Sequence, residues 1–418
     1  MANQASFELA ALTPIFNAGA NRVTPELLRV ASLKGALLYW FRALVGALCP
    51  LDQLRGLETD YFGGPQRAGD LRLALSGPVP DGRYPLKPYD RQERRWRPLE
   101  GFRYLAYGLE GRPFYDPDRG ASFRLSVRCE RRETWEVTWC CLWLLSRLGG
   151  VGARTRRGMG GFVLRPAAGA PRFQGLPELS PGVWATAEDL AADLSKGLNQ
   201  VAGCLARHAG VEVPRFAWRT TMTAASSSSA TRYPAFSSFV PGFWRARIIP
   251  LDAQGWEAAL DAVGLIYQRW RHPPIPGRPR PLSKDFGVAS GYVGSGSASG
   301  SRLAAFGLPL LFSFHSGTHA GARVGVRETG RLRTEDSRRA SPLFLRVLRS
   351  YGADGKFFAL AHVFKAKFVR DSTDRLEFYM KAAPSAGSMQ SPSAPFAVHW
   401  TEVDSFLDSL NGPEVYVS

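Results

Sequence analysis

Residues 149–162 read GGVGARTRRGMGGF, with four glycines in residues 152–161 flanking Arg154, Arg156 and Arg157. Glycine lets a backbone approach a polyanion closely and offer its N–H groups, while arginine adds charge and bidentate hydrogen bonds, so the run suits a phosphodiester strand. A solvated hairpin would have the same letters, and the neighbouring elements bear on the choice. Just before the run, Glu133 to Arg147 has acids in its first turn, a cation in its last and Gly149-Gly150 as a stop, which predicts a helix burying Trp135, Trp139, Leu142 and Leu145. Upstream, Phe123 to Cys129 alternates apolar and polar residues, as do Asp70 to Ser76 and Phe7 to Ala11. All three predict half-buried strands. Between the first two strands in chain order lies SLKGALLYWFRAL, residues 32–44, a helix with Ser32 as its expected N-cap. Phe162 to Leu164 supplies a closing strand. The order strand, helix, strand, strand, helix, strand predicts a ferredoxin-like or RRM-like βαββαβ unit, with residues 78–120 as an insertion.

The chain has 418 residues, which favours two domains. Residues 166–182 are rich in Pro, Gly and Ala and read as a linker, followed by a helix from Ala187 to His208. Beyond Pro214 the pattern partly recurs. Strands are expected at Phe216 to Thr223, Phe243 to Ile249 and Phe357 to Val369, and a helix at Trp256 to Arg271. The expected fold class is therefore α+β with two tandem units and loop and helical insertions: 1–165, a connecting segment 166–214, and 215–418. Ser226 to Ser229 and Gly291 to Ser301 read as mobile low-complexity loops. The last helix, Thr401 to Leu410, is acidic and reads as facing protein or solvent.

A formal net charge of +17 attracts polyanions, and residues 201–350 hold 20 basic against 8 acidic residues. Codon bias would also produce an arginine-rich chain, which leaves a protein-interaction scaffold as an alternative. Lys34 and Arg42 lie two turns apart on the first predicted helix, where both can address one ligand or simply snorkel. The aromatic cluster Tyr39-Trp40-Phe41 reads as core, although Tyr39 could reach a base. Arg94, Arg95, Trp96 and Arg97 mix charge and stacking as single-strand binders do.

Signals for catalysis are thin. There is no GxxxxGK[ST] run, and the five cysteines show no CxxC spacing, so neither nucleotide, zinc nor disulfide chemistry is suggested and no cofactor is expected. Metal-independent RNA cleavage usually employs His, and the first 207 residues have none. His315 and His319 have i,i+4 spacing without the Glu of HExxH, and read as a loop or pocket edge. An endoribonuclease using a later histidine, or Tyr39 with Lys34, is the runner-up. No run reaches the roughly 18 apolar residues of a membrane span, and a cytoplasmic setting is expected.

Several segments resemble the RAMP superfamily of CRISPR effector proteins, and within it the first RAMP subunit of the type III-B (Cmr) effector. They are Thr13-Pro14 with Gly19-Ala20, Ser32 to Leu37 with Trp40 to Ala43, Glu58 with Phe62-Gly63-Gly64, Tyr104 to Gly108, Gly149 to Gly158, and more weakly Gly307-Leu308-Pro309 and Ala340 to Leu343. Leu38 departs from the pattern, because the family usually carries Arg there. The resemblance implies tandem ferredoxin-like RAMP domains that bind guide RNA near its 3′ end, engage target RNA and sit among other RAMP subunits without cutting RNA. On that reading the RNA-binding residues are Arg29, Lys34, Arg42, Gly152, Arg154, Arg156, Arg157 and Gly158, with no catalytic residue and no metal.

Overall fold

The structure is a computed structural model. It describes residues 4–418 except 19–20, 22–23, 81, 84–98, 221–232, 278–280, 315–320, 331–337, 369–374 and 381–390. The segments with Gly19-Ala20, Arg94 to Arg97, Ser226 to Ser229 and His315 with His319 therefore lie outside the described residues.

In chain order the first half contains β1 (Gln4–Ala11), β2 (Ile15–Phe16), α1 (Val30–Val45), α2 (Leu51–Phe62), β3 (Arg72–Ser76), β4 (Gly82–Arg83), α3 (Glu100–Ala106), β5 (Pro113–Tyr115), β6 (Ser122–Arg128), α4 (Arg132–Leu148) and β7 (Phe162–Pro166). Its main sheet has the order β3-β6-β1-β7, antiparallel throughout, with Phe7 opposite Leu125 and Leu9 opposite Leu164. Alternation builds it: Phe7 and Leu9 point inward while Glu8 is exposed, and Phe123, Leu125 and Val127 repeat the pattern on β6. Strand β2 pairs with β5 and β5 with β4 in a small side sheet.

Two readings need correction. Helix α1 begins at Val30 with Arg29 as its N-cap, two residues before Ser32, and no side chain caps it. Helix α4 buries far more than one stripe: every residue from Thr134 to Leu148 is buried, Glu136 and Arg147 included. A helix covered on all sides is an internal layer, and here the second half supplies the other cover.

Helix α5 (Ala187–Ala209) opens with a capping box in which Thr186 and Asp189 satisfy each other's backbone N–H, and it ends at Gly210 in the left-handed conformation. Its apolar face packs on α4 and α1. The segment before it is anchored as well, with Phe173, Leu176 and Leu179 buried and the Trp139 indole donating to the Pro177 carbonyl at 2.7 Å.

The second half continues with β8 (Phe216–Arg219), β9 (Trp244–Leu251), α6 (Trp256–Arg271), α7 (Phe286–Ser295), β10 (Leu310–Ser313), β11 (Arg323–Glu328), β12 (Leu343–Arg349), β13 (Phe357–Phe364), β14 (Arg375–Met380), β15 (Phe396–Ala397), α8 (Thr401–Asp408) and β16 (Glu414–Val417). Its larger sheet has the order β12-β13-β9-β16-β8, and β10-β11-β14-β15 forms a second sheet. Taken as β9-α6-β12-β13-α8-β16, the larger sheet repeats the connectivity and strand order of the first, with β8 added at the edge.

The Gly/Ser run is partly ordered. Residues 291–295 belong to α7, Tyr292 is buried, and the buried carboxylate of Asp285 accepts from the Ser301 hydroxyl and the Arg302 and Leu303 amides. A buried acid with several donors organises a sequence that composition alone reads as loose. The acidic C-terminal segment is also spoken for within the chain: Asp408 and Glu414 pair with Arg245 at 2.8 and 3.2 Å, and Asp404 pairs with Lys365 at 3.0 Å.

An apolar core runs through both halves. It joins Trp40 and Leu44 of α1 to Trp244 of β9, Phe344 of β12, and Phe358 and Leu360 of β13. Among the described residues, no helix is long and apolar enough to cross a membrane.

Candidate nucleic-acid interface

The glycine run is a compact series of turns held from three sides. Thr13, fully buried, donates its hydroxyl to the Gly158 carbonyl at 2.8 Å and accepts from the Gly161 amide at 2.7 Å, while the Pro14 carbonyl accepts from the Gly160 amide at 2.8 Å. Gly160 needs its missing side chain: φ is +73° and a Cβ would lie 2.0 Å from the Val151 carbonyl oxygen. From the second half, the Leu345 amide donates to the Arg156 carbonyl at 3.1 Å. The end of α4 is capped from that side too, since Arg346 donates to the Ser146 carbonyl at 2.9 Å and His362 Nε2 contacts the Leu148 carbonyl at 3.0 Å. Orphan carbonyls at a helix C-terminus are thus satisfied by side chains of another unit.

The three arginines of the run divide. Arg154 is exposed, has φ of +59° and donates to the Tyr107 carbonyl at 2.7 Å. Partial burial and the nearby cations Arg157 and Arg112 lower its pKa, with Glu110 opposing them. Arg154 thus stands beside Tyr107, which is 73% exposed, with the charges of the half-buried Arg157 and Arg112 close enough to act on it. Arg156 turns inward instead. Its guanidinium lies 4.6 Å over the Phe344 ring and 5.7 Å over the Tyr39 ring, and it donates to the Ser341 carbonyl. It pins the loop to β12.

A cleft of about 390 Å³ separates this run from α1. Its walls are Gly150 to Ala153 and Thr155 on one side, Ser32 and Ala36 on the other, with Asn17 and Arg112 between. Small residues facing across i,i+4 on α1 leave room for a backbone. Arg29, at the N-cap of α1, is exposed close by in the chain. Gly152, at φ +88°, packs so that a Cβ would meet the Phe16 carbonyl oxygen at 2.6 Å; Gly158, at φ +82°, is buried against Leu260.

The structure does not bring Lys34 and Arg42 together on this cleft. Lys34 faces a second groove with Gly63, Gly64, Arg67 and Arg72. Arg42 is held by both carboxylate oxygens of Glu58 at 2.6 and 2.7 Å, which raises its pKa. A guanidinium held in that way has its charge matched within the protein.

Tyr39 belongs to the core: burial raises the pKa of its phenol, and its ring supports Arg156. Among the described histidines none lines the cleft. His362 is fully buried, stacked 4.7 Å from Phe344, and burial lowers its pKa to about 3. Arg112 and Tyr107 were not among the expected contacts; their signal was the end of α3 and the loop after it, residues 104–112, inside the expected insertion.

Most of the segments on which the family resemblance rests meet here. Thr13-Pro14, Tyr104 to Gly108, Ala340 to Leu343 and the glycine run are in contact, and Gly63-Gly64 borders the groove of Lys34. A family model described as the RAMP superfamily matches residues 8–163. The chain is 29% identical over 150 residues to "CRISPR system Cmr subunit Cmr1-1" of Pyrococcus furiosus, a match spanning 34% of this chain and 42% of that protein. It is 28% identical over 185 residues to "CRISPR system Cmr subunit Cmr1-2" of the same organism, over 39% of this chain and 95% of that protein. The crystal structure of Cmr1 from Pyrococcus furiosus in its apo form superposes with a TM-score of 0.54 at 17% identity, covering 97% of this chain and 96% of the other, which extends the shared fold to both halves. The chain thus resembles the RAMP superfamily, whose signature matches its residues 8–163.

Proposed function

We propose that this chain is a non-catalytic RNA-binding subunit of a type III-B CRISPR ribonucleoprotein effector, acting in the cytoplasm in antiviral defence. It would hold guide RNA near its 3′ end, help engage target RNA and pack against other RAMP subunits. On this reading the two repeated strand orders are tandem ferredoxin-like RAMP units, residues 1–165 and 215–418, joined by 166–214. The observation that carries it is the cleft between α1 and the glycine run, rimmed by Arg112, with the charges of Arg154 and Arg157 close by.

On this reading the contacts divide as follows. Arg154, Arg157, Arg112 and Arg29 supply charge, Gly152 lets the backbone come close, and Tyr107 offers a face for a base. Arg156 and Gly158 shape the loop rather than touch the strand. Lys34 serves the neighbouring groove, and Arg42 contributes little while Glu58 holds it. Such contacts read backbone, not sequence.

Anisotropy titrations of unrelated single-stranded RNAs over a range of salt test this. Replacing Arg112, Arg154 and Arg157 with Ala is expected to weaken all of them alike and to flatten the slope of log K against log salt by about 2. An unchanged slope removes these arginines from the interface, and metal-independent cleavage of a repeat RNA by the wild type would replace the binding role with an endoribonuclease.

A further inference from the structure

Helices α4 and α5 meet along their buried faces, and each brings two metal-binding side chains to the contact. Glu136 and Cys140 are four residues apart on α4; Cys204 and His208 are four apart on α5. That spacing puts each pair on one face of its helix. The Glu136 carboxylate reaches the His208 Nε2 at 3.0 Å and the Cys204 Sγ at 3.9 Å, and one ligand atom from each of these three residues lies within 4.8 Å of the other two. Cys140, fully buried, stands one turn of α4 from Glu136.

Around tetrahedral Zn²⁺, with bonds of about 2.0–2.3 Å, neighbouring ligand atoms sit about 3.3–3.8 Å apart. The observed 3.0 and 3.9 Å bracket that edge, so small side-chain adjustments would admit the ion. The surroundings also fit. Arg132 holds the other Glu136 oxygen at 2.9 Å, which fixes the carboxylate with Oε2 turned toward the thiol and the imidazole. Glu136, Cys140 and Cys204 are buried, whereas the His208 side chain keeps 16% exposure, which leaves a way in for the ion.

The geometry points to a zinc site that staples α5 to α4, with Glu136, Cys204 and His208 as ligands. Binding forms metal–ligand bonds and releases the Cys204 thiol proton to solvent, with no change of oxidation state. A search for CxxC spacing could not find such a site, because its ligands come from separate helices, α4 and α5, with β7 between them in the chain.

Full-length protein freed of metal with a chelator and titrated with Co²⁺ gives the direct reading. The expected result is one equivalent bound, with the intense visible bands of tetrahedral cobalt and a near-ultraviolet thiolate charge-transfer band, both abolished by Zn²⁺. Cys204→Ser and His208→Ala should each lose them, while Cys129→Ser and Cys141→Ser keep them. Wild-type protein that shows no such bands and no rise in Tm with Zn²⁺ overturns the site, whatever the variants do; so would Cys204→Ser that folds and keeps the full spectrum.

Discussion

Arg154 and Arg156 stand two residues apart in a run where sequence treats them alike, yet they do different things. Arg154 faces solvent beside Arg157 and Arg112, and Arg156 lies over Phe344 and Tyr39 with its donor on the Ser341 carbonyl. Arg156→Ala is therefore expected to lower stability by about 1–3 kcal/mol in urea unfolding, since it removes a cation–π contact and a hydrogen bond between the two halves. Arg156→Lys should not restore it, because a point charge cannot stack as a planar guanidinium does. Arg154→Ala should leave the urea midpoint nearly unchanged while weakening RNA binding. Equal stability losses for the two would dismiss this division. Composition could announce that the run is basic; which cation turns inward depends on β12, far away in the second half, and so was not legible.

At the scale of elements, α1 shows what local pattern conveys and what it omits. Of the apolar stripe that its spacing predicts, Leu33, Leu37, Trp40, Phe41, Leu44 and Leu48, all but Leu48 are buried in α1. Its cations were not assignable, because Glu58 of α2 closes on Arg42 from another helix. Glu58→Ala should free that guanidinium, raise affinity for single-stranded RNA and steepen the salt slope by up to about 1. Arg42→Ala alone should change affinity little. A Glu58→Ala protein that binds RNA more weakly would put α2, rather than Arg42, at the interface. Elsewhere β1, β6, α4, α5 and α6 were legible from periodicity, whereas β12 and β16 were not. LFLRVLR, residues 343–349, is an apolar run that helix and strand accommodate equally until pairing with β13 decides, and its Arg346 is fully buried. β16 spans only Glu414–Val417 and exists through its place between β9 and β8.

Across the whole molecule, the two repeated units are fused by a common core and by side chains of the second half that cap the end of α4. His362 lies at that junction, stacked on Phe344 and next to Trp40, with Arg346 and Arg156 the nearest cations. Its pKa falls from 6.5 to about 3 on folding, so the unfolded chain takes the proton first. Its contribution is complete above pH 6.5 and is lost progressively as pH falls toward 3, amounting to about 2 kcal/mol between pH 7 and pH 5. His362→Gln should shrink the fall in Tm over that interval; an unchanged fall would show that acid acts elsewhere. The charge of the molecule is likewise partly internal. Arg245, Lys365 and Arg302 of the basic second half are paired by Asp408, Asp404 and Glu402, so the net charge overstates what an RNA meets there. That pairing needed the folded chain to be seen, because the acids stand near the end of the sequence and the cations on β9 and beyond.

On the proposed function, a nucleic-acid strand runs through the cleft between α1 and the glycine run. Ultraviolet cross-linking of bound single-stranded RNA, with the adducts located by mass spectrometry, reads it directly. Adducts are expected on Tyr107 and on peptides within residues 150–157; adducts confined to α5 or to the sheet of β10, β11, β14 and β15 would contradict that path.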